Sequence, residues 1–136
     1  MANHHAQPGS DITDIPTQLT EYVVGTVQPF TVNAPSGNGV MLYGTARYLP
    51  GNLVTATVIM RLRRGLDSTG EVVVGPVSID APDGVEIPIS IFGVDTGNQF
   101  LTTGYVFTVE QQGEDAIGPG TVSQVSVVAQ TTNPIE

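Results

Sequence analysis

The run from Leu53 to Arg63 has a two-residue period. Val54, Ala56, Val58, Met60 and Leu62 fall on one face, and Thr55, Thr57, Ile59, Arg61 and Arg63 on the other. A two-residue period in a run rich in β-branched side chains specifies a long strand with one face in a core. Gly51 and Asn52 before it and Gly65 after it are turn residues. A strand of this kind cannot fold alone, so the rest of the chain must supply neighbours beside it and a second layer against it.

Further runs of the same character follow the chain. Thr20 to Val27 is a first strand, interrupted by Pro29 and continued by Phe30 to Asn33 on an edge, where proline is tolerated. Val40 to Tyr48 is the next, and the short turn Leu49-Pro50-Gly51-Asn52 predicts an antiparallel hairpin with the long strand. Glu71 to Gly75 and Pro76 to Asp80 read as one bent strand or two short ones. Val85 to Ile91 places Val85, Ile87, Ile89 and Ile91 on one face, and Pro88 pushes it toward an edge or a bulge. Gly104 to Glu110 turns Tyr105, Phe107 and Val109 inward, and Thr121 to Ala129 is the last strand. No stretch repeats apolar residues at helical spacing. The expected fold is all-β: a two-sheet antiparallel β-sandwich of about eight strands, jelly-roll-like, over residues 19–130. A seven-stranded immunoglobulin-like sandwich is the competitor. Residues 1–18 read as an extended N-terminal arm, either a disordered tail or a segment held by a neighbouring subunit, and residues 131–136 as a short tail.

With 136 residues the chain makes one domain that can form a core without staples. Cysteine is absent, which excludes disulfides and thiolate metal sites. No apolar window is long enough for a membrane helix, and Met1 to Ser10 lacks the basic start and apolar run of a signal peptide. Thirteen acids face four arginines with no lysine, for a formal charge of -9. Arg61, Arg63 and Arg64 are the only basic cluster, which argues against nucleic-acid binding. Only 12% of residues are charged, against about 25% in an ordinary soluble domain, so uncharged polar side chains must carry the surface. Such a surface suits a particle component or an exported protein.

The chemistry-bearing residues form no catalytic constellation. His4 and His5 are adjacent in the arm, and neighbours on an extended segment point opposite ways. The carboxylate pairs Asp11 with Asp14, Asp80 with Asp83, and Glu114 with Asp115 sit among turn residues, where Asp bonds nearby backbone N–H groups; calcium is the softer alternative for them. Asp95-Thr96-Gly97 matches the aspartic-protease triplet, but one such triplet per chain would need a dimer to act. No enzyme activity, cofactor or metal is expected. For sugar binding, tryptophan is missing, and Tyr43 and Tyr105 read as core or interface packing. Arg61 and Arg63 share the outer face of the long strand, either as a solvated face or, with Arg64, as a subunit contact that meets carboxylates of a neighbour. Ile12 and Ile15 are the apolar contact candidates of the arm.

The segments Thr55 to Gly65, Gly104 to Glu110 and Gly120 to Ala129 resemble, in strand pattern, the small jelly-roll structural proteins of tailed bacteriophages, the capsid decoration (cement) and fibre-head type. The likeness covers roughly residues 40–130. It implies a homotrimeric sandwich, similar to the tumour-necrosis-factor-like jelly roll, seated on the major capsid protein or another virion protein, with no catalytic residues, nucleic acid or membrane. The expected location is the virion. A receptor- or glycan-binding fibre or tail module is the alternative.

Overall fold

A computed structural model describes residues 3–5, 13–15, 20–31, 39–51, 56–82, 84–95, 102–113 and 120–131. The strands are β1 (Asn3–His5), β2 (Thr13–Ile15), β3 (Tyr22–Thr31), β4 (Val40–Leu49), β5 (Ala56–Arg64), β6 (Glu71–Ala81), β7 (Ile87–Asp95), β8 (Thr102–Gln112) and β9 (Gly120–Thr131). They form two antiparallel sheets. One has the order β1-β9-β4-β7, with β2 also pairing to β9, and the other has the order β3-β8-β5-β6.

Among the described strands, β5 and β6 alone are sequence neighbours that pair with each other; from β2 onward every other connection crosses between the sheets. That is the jelly-roll order, and β1 with β2 fills the place of its first strand, split in two. The two described stretches of the expected arm therefore lie against β9 of the same chain, through Asn3 opposite Gln130 and Thr13 opposite Val122. The hairpin expected between Val40–Tyr48 and the long strand is not formed. β4 pairs with β7 and β9, and β5 with β6 and β8, so the two strands lie in opposite sheets. Each of the two strands has its own face to bury, and placing them in opposite layers turns both faces to one core.

That core follows the sequence alternation. Ala56, Val58, Met60 and Leu62 of β5 are buried against Leu42 and Tyr48 of β4, Tyr105, Phe107 and Val109 of β8, and Val122, Val125 and Val127 of β9. Gly44 lets the sheets close at their centre: a Cβ there would stand 3.0 Å from Phe107 Cδ2 and 3.3 Å from Ile91 Cγ2. The proline positions behave as their chemistry requires. β7, with Pro88, is an edge strand. Pro29 coincides with a register shift between Val27 and Phe30. Gly75-Pro76 bends β6 without dividing it; Gly75 takes φ 101°, and the β5 register shifts opposite it.

Candidate functional site

The arginine cluster splits along the strand period. Arg61 and Arg63 point out of the four-stranded sheet, whereas Arg64, at the next parity, points between the sheets. Arg63 grips Glu21 as a fork, Nε to Oε2 at 2.6 Å and Nη2 to Oε1 at 2.7 Å, and donates Nη1 to the carbonyl of Gly70 at 2.6 Å. Arg61 Nη1 donates to Glu110 Oε1 at 3.0 Å and to Glu21 Oε1 at 3.4 Å. The register puts Val106 opposite Arg63 and Thr108 opposite Arg61, and both are fully buried on this outward face. Burial works to raise the pKa of Glu21, but hydrogen bonds from Arg63 and Thr108 and the charges of Arg63 and Arg61 outweigh it, so its carboxyl is held below the usual value. The hydrogen bond to Glu21 raises the pKa of Arg63 in turn.

Arg64 closes one end of the sandwich. Its Nη2 donates to Asp95 Oδ1 at 2.6 Å and its Nε to Oδ2 at 3.0 Å, while Tyr105 Oη donates to Oδ2 at 2.8 Å. Asp95 ends β7 in one sheet; Arg64 and Tyr105 are paired across β5 and β8 in the other. The aspartate of the protease-like triplet is thus the acceptor of an inter-sheet latch, with its side chain 2% exposed. Thr96 and Gly97 lie outside the described residues. At the opposite end Tyr48 Oη donates to Gln111 Oε1 at 2.6 Å, again from one sheet to the other. Burial pushes the Tyr48 hydroxyl up to about 12.

Arg47, the fourth arginine, pairs with Glu86 at the surface. Each arginine thus meets a carboxylate of its own chain, and a neighbour's carboxylates are not needed to neutralise the cluster. Of the two arm candidates, Ile15 stands opposite Gly120 in the β2–β9 ladder, and Ile12 lies outside the described residues. His4 and His5 fall in the β1–β9 ladder opposite Ala129 and Val128. Asp14 is opposite Thr121. Asp80 lies in strand β6 rather than in a turn, and accepts from Thr57 Oγ1 at 3.0 Å on the paired strand. Asp11, Asp83, Glu114 and Asp115 lie outside the described residues. Among the described residues, no group of three or more His, Cys, Asp or Glu is placed to hold a metal ion, and no helix is long and apolar enough to cross a membrane.

Sequence reasoning did not find the outer face of the five-stranded sheet. Tyr105 is fully buried, but Tyr43 is 45% exposed, beside Phe92 at 58% and Val94 at 43%. Tyr43 and Phe92 are direct cross-strand partners with ring centroids 6.3 Å apart, edge to face. The signal lay in Met41-x-Tyr43 and Ser90-x-Phe92-x-Val94, whose alternation opposes the buried parity of the same strands.

No family model matches the chain, and no curated protein matches it by sequence. Solved structures do match in shape. A chain of the T13 infectious bursal disease virus (IBDV) particle superposes with TM-score 0.64 at 8% identity over 95% of this chain. The Gx strain of infectious bursal disease virus gives TM-score 0.57 at 11% identity over 100% of it. A mutant VP2 protein of the same virus, from derived T=1 particles, gives 0.55 at 10% identity over 94%. This chain spans about a third of the length of those chains, 30%, 34% and 31% respectively. At such identities the likeness is one of fold: the chain is a two-sheet β-sandwich of the kind found in viral capsid proteins.

Proposed function

We propose that the chain is a virion structural protein, a capsid decoration (cement) protein that binds the outside of a viral shell as a homotrimer and stabilises it. The observation that supports this reading most directly is the fold match, over nearly the whole chain, to chains of a viral particle. The composition agrees with it. The arginines are committed to ion pairs within the fold, and only 12% of residues are charged. The mechanism is burial of exposed strand faces against other copies and against the shell, with several contacts per trimer acting together.

Two measurements on the purified chain test it. Light scattering should return about 43 kDa, three times the 14.2 kDa chain. Incubated with viral shells, the protein should sediment with them and add density to their outer surface in electron micrographs. A 14.2 kDa species that stays in the supernatant ends the proposal. The second reading, a receptor- or glycan-binding fibre or tail module, draws on the exposed Tyr43–Phe92 pair, since exposed aromatic rings can stack on sugars. Reproducible binding to one sugar class on a glycan array favours it.

A further inference from the structure

The two sheets differ in where they carry charge. On the outer face of the four-stranded sheet stand Glu21, Arg61, Arg63 and Glu110, with Asp80 on its edge strand. The outer face of the five-stranded sheet takes the odd positions of β4 from Met41 to Leu49, the even positions of β7 from Pro88 to Val94, the outward positions of β9, and the positions of β1 and β2 in register with those. Its described charges gather at one end: Arg47, paired with Glu86, and Asp14, in register with Thr121 opposite Leu49. The other end carries no described charge, and there Tyr43, Phe92 and Val94 are exposed together.

We infer that a second copy of this chain covers this face, with Tyr43, Phe92 and Val94 at the centre of the contact. The inference rests on the self-association proposed above and assigns its surface. Charge selects the occupant. Copies that meet through acidic surface set carboxylates against carboxylates, whereas the end of this face that holds Tyr43, Phe92 and Val94 brings two highly acidic chains together without doing so. Its size fits as well. β7 is 9 residues long, which at ~3.3 Å per residue gives a face about 30 Å long. Four ranks of strands at ~4.8 Å make it about 19 Å wide. The flat footprint is then about 550 Å², and a corrugated surface of that footprint approaches the ~800 Å² per partner of a stable protein contact.

Sedimentation velocity on the full chain tests this, run over roughly 1 to 100 μM, the range in which contacts of this size dissociate. Phe92→Asp places a carboxylate at the centre of the face, Phe92→Ser removes the ring without adding charge, and Ser78→Asp adds the same charge to exposed β6 of the other sheet. Phe92 is 58% exposed, so its replacements should fold, and circular dichroism verifies that. The expected result is an oligomeric wild type, an oligomeric Ser78→Asp variant, and association weakened at least ~30-fold in both Phe92 variants. A wild-type oligomer with Phe92 variants that associate equally well overturns the surface while self-association stands. A wild type that is monomeric throughout the range overturns both, as does a monomer whose glycan binding is lost in Phe92→Ser.

Discussion

Replacing Arg64 with Met keeps the stem of the side chain and removes the guanidinium from the latch at the Asp95 end of the sandwich. The Asp95 side chain is 2% exposed and that of Arg64 is 20% exposed, so the bond is shielded mainly on the acid's side. Breaking a buried pair from one side costs about 3–5 kcal/mol, because the remaining charge stays desolvated. Tyr105 still donates to Asp95, and water can approach from the Arg64 side, which brings the expected loss to roughly 2–4 kcal/mol. For a chain of 136 residues a loss in the middle of that range lowers the melting temperature by roughly 10 °C. Urea unfolding of Arg64→Met, Asp95→Leu and the double variant measures the effect. The double variant removes both charges together and should recover to within about 1–2 kcal/mol of wild type, a coupling of about 2 kcal/mol or more. The latch has no such role if Arg64→Met costs less than about 1 kcal/mol, or if the two losses simply add.

Three other perturbations reach different parts of the fold. Tyr48 has its pKa raised from 10.0 to about 12 by burial, so the neutral hydroxyl stabilises the fold below pH 10, and that contribution of about 2–3 kcal/mol drains away as pH rises toward 12. Tyr48→Phe should flatten the alkaline limb of a stability–pH curve, and an unchanged limb would place the titration elsewhere. Glu21 is shifted the other way, below its ordinary 4.5, so its contribution is complete above that value and is lost as pH falls through the folded-state pKa. Glu21→Gln should make acid unfolding, followed by circular dichroism, less steep below pH 4.5. Gly44→Ala forces a Cβ to 3.0 Å from Phe107 and should cost about 1–3 kcal/mol in urea unfolding; a neutral effect would mean the sheets can part there freely.

Most strands were legible because each burial face writes a two-residue period into the chain. The inward residues of β5 and β8 fall where that period puts them, and Pro88 marks an edge. The period says nothing about which sheet a strand joins. The sequence Leu49 to Asn52 looks the same to a local reading whether the strands on either side pair with each other or join different sheets, and here β4 and β5 are in different sheets. Asn3–His5 and Thr13–Ile15 escaped recognition as strands because 3 residues carry no measurable alternation and their partner, β9, is over a hundred positions away. Adjacency in sequence is not a shared face: Arg61 and Arg63 point outward as the period predicts, while Arg64, next to Arg63, serves the opposite face of the sheet, as strand parity requires. The Tyr43–Phe92 patch emerged only when β4 and β7 were aligned, since neither strand alone shows that its outward aromatic has a partner.

The engagement of every arginine has a consequence for how long the molecule survives outside a cell. A trypsin-like protease has four bonds to attack in this lysine-free chain, those after Arg47, Arg61, Arg63 and Arg64. Three of them lie within β4 or β5, strands with a hydrogen-bonded neighbour on either side, and the fourth joins the last residue of β5 to Gly65, whose N–H is bonded to the Gly104 carbonyl at 2.8 Å. Such an enzyme must draw its substrate out as a free extended segment, so digestion waits on opening of the sheets, and its pace reports global unfolding rather than loop motion.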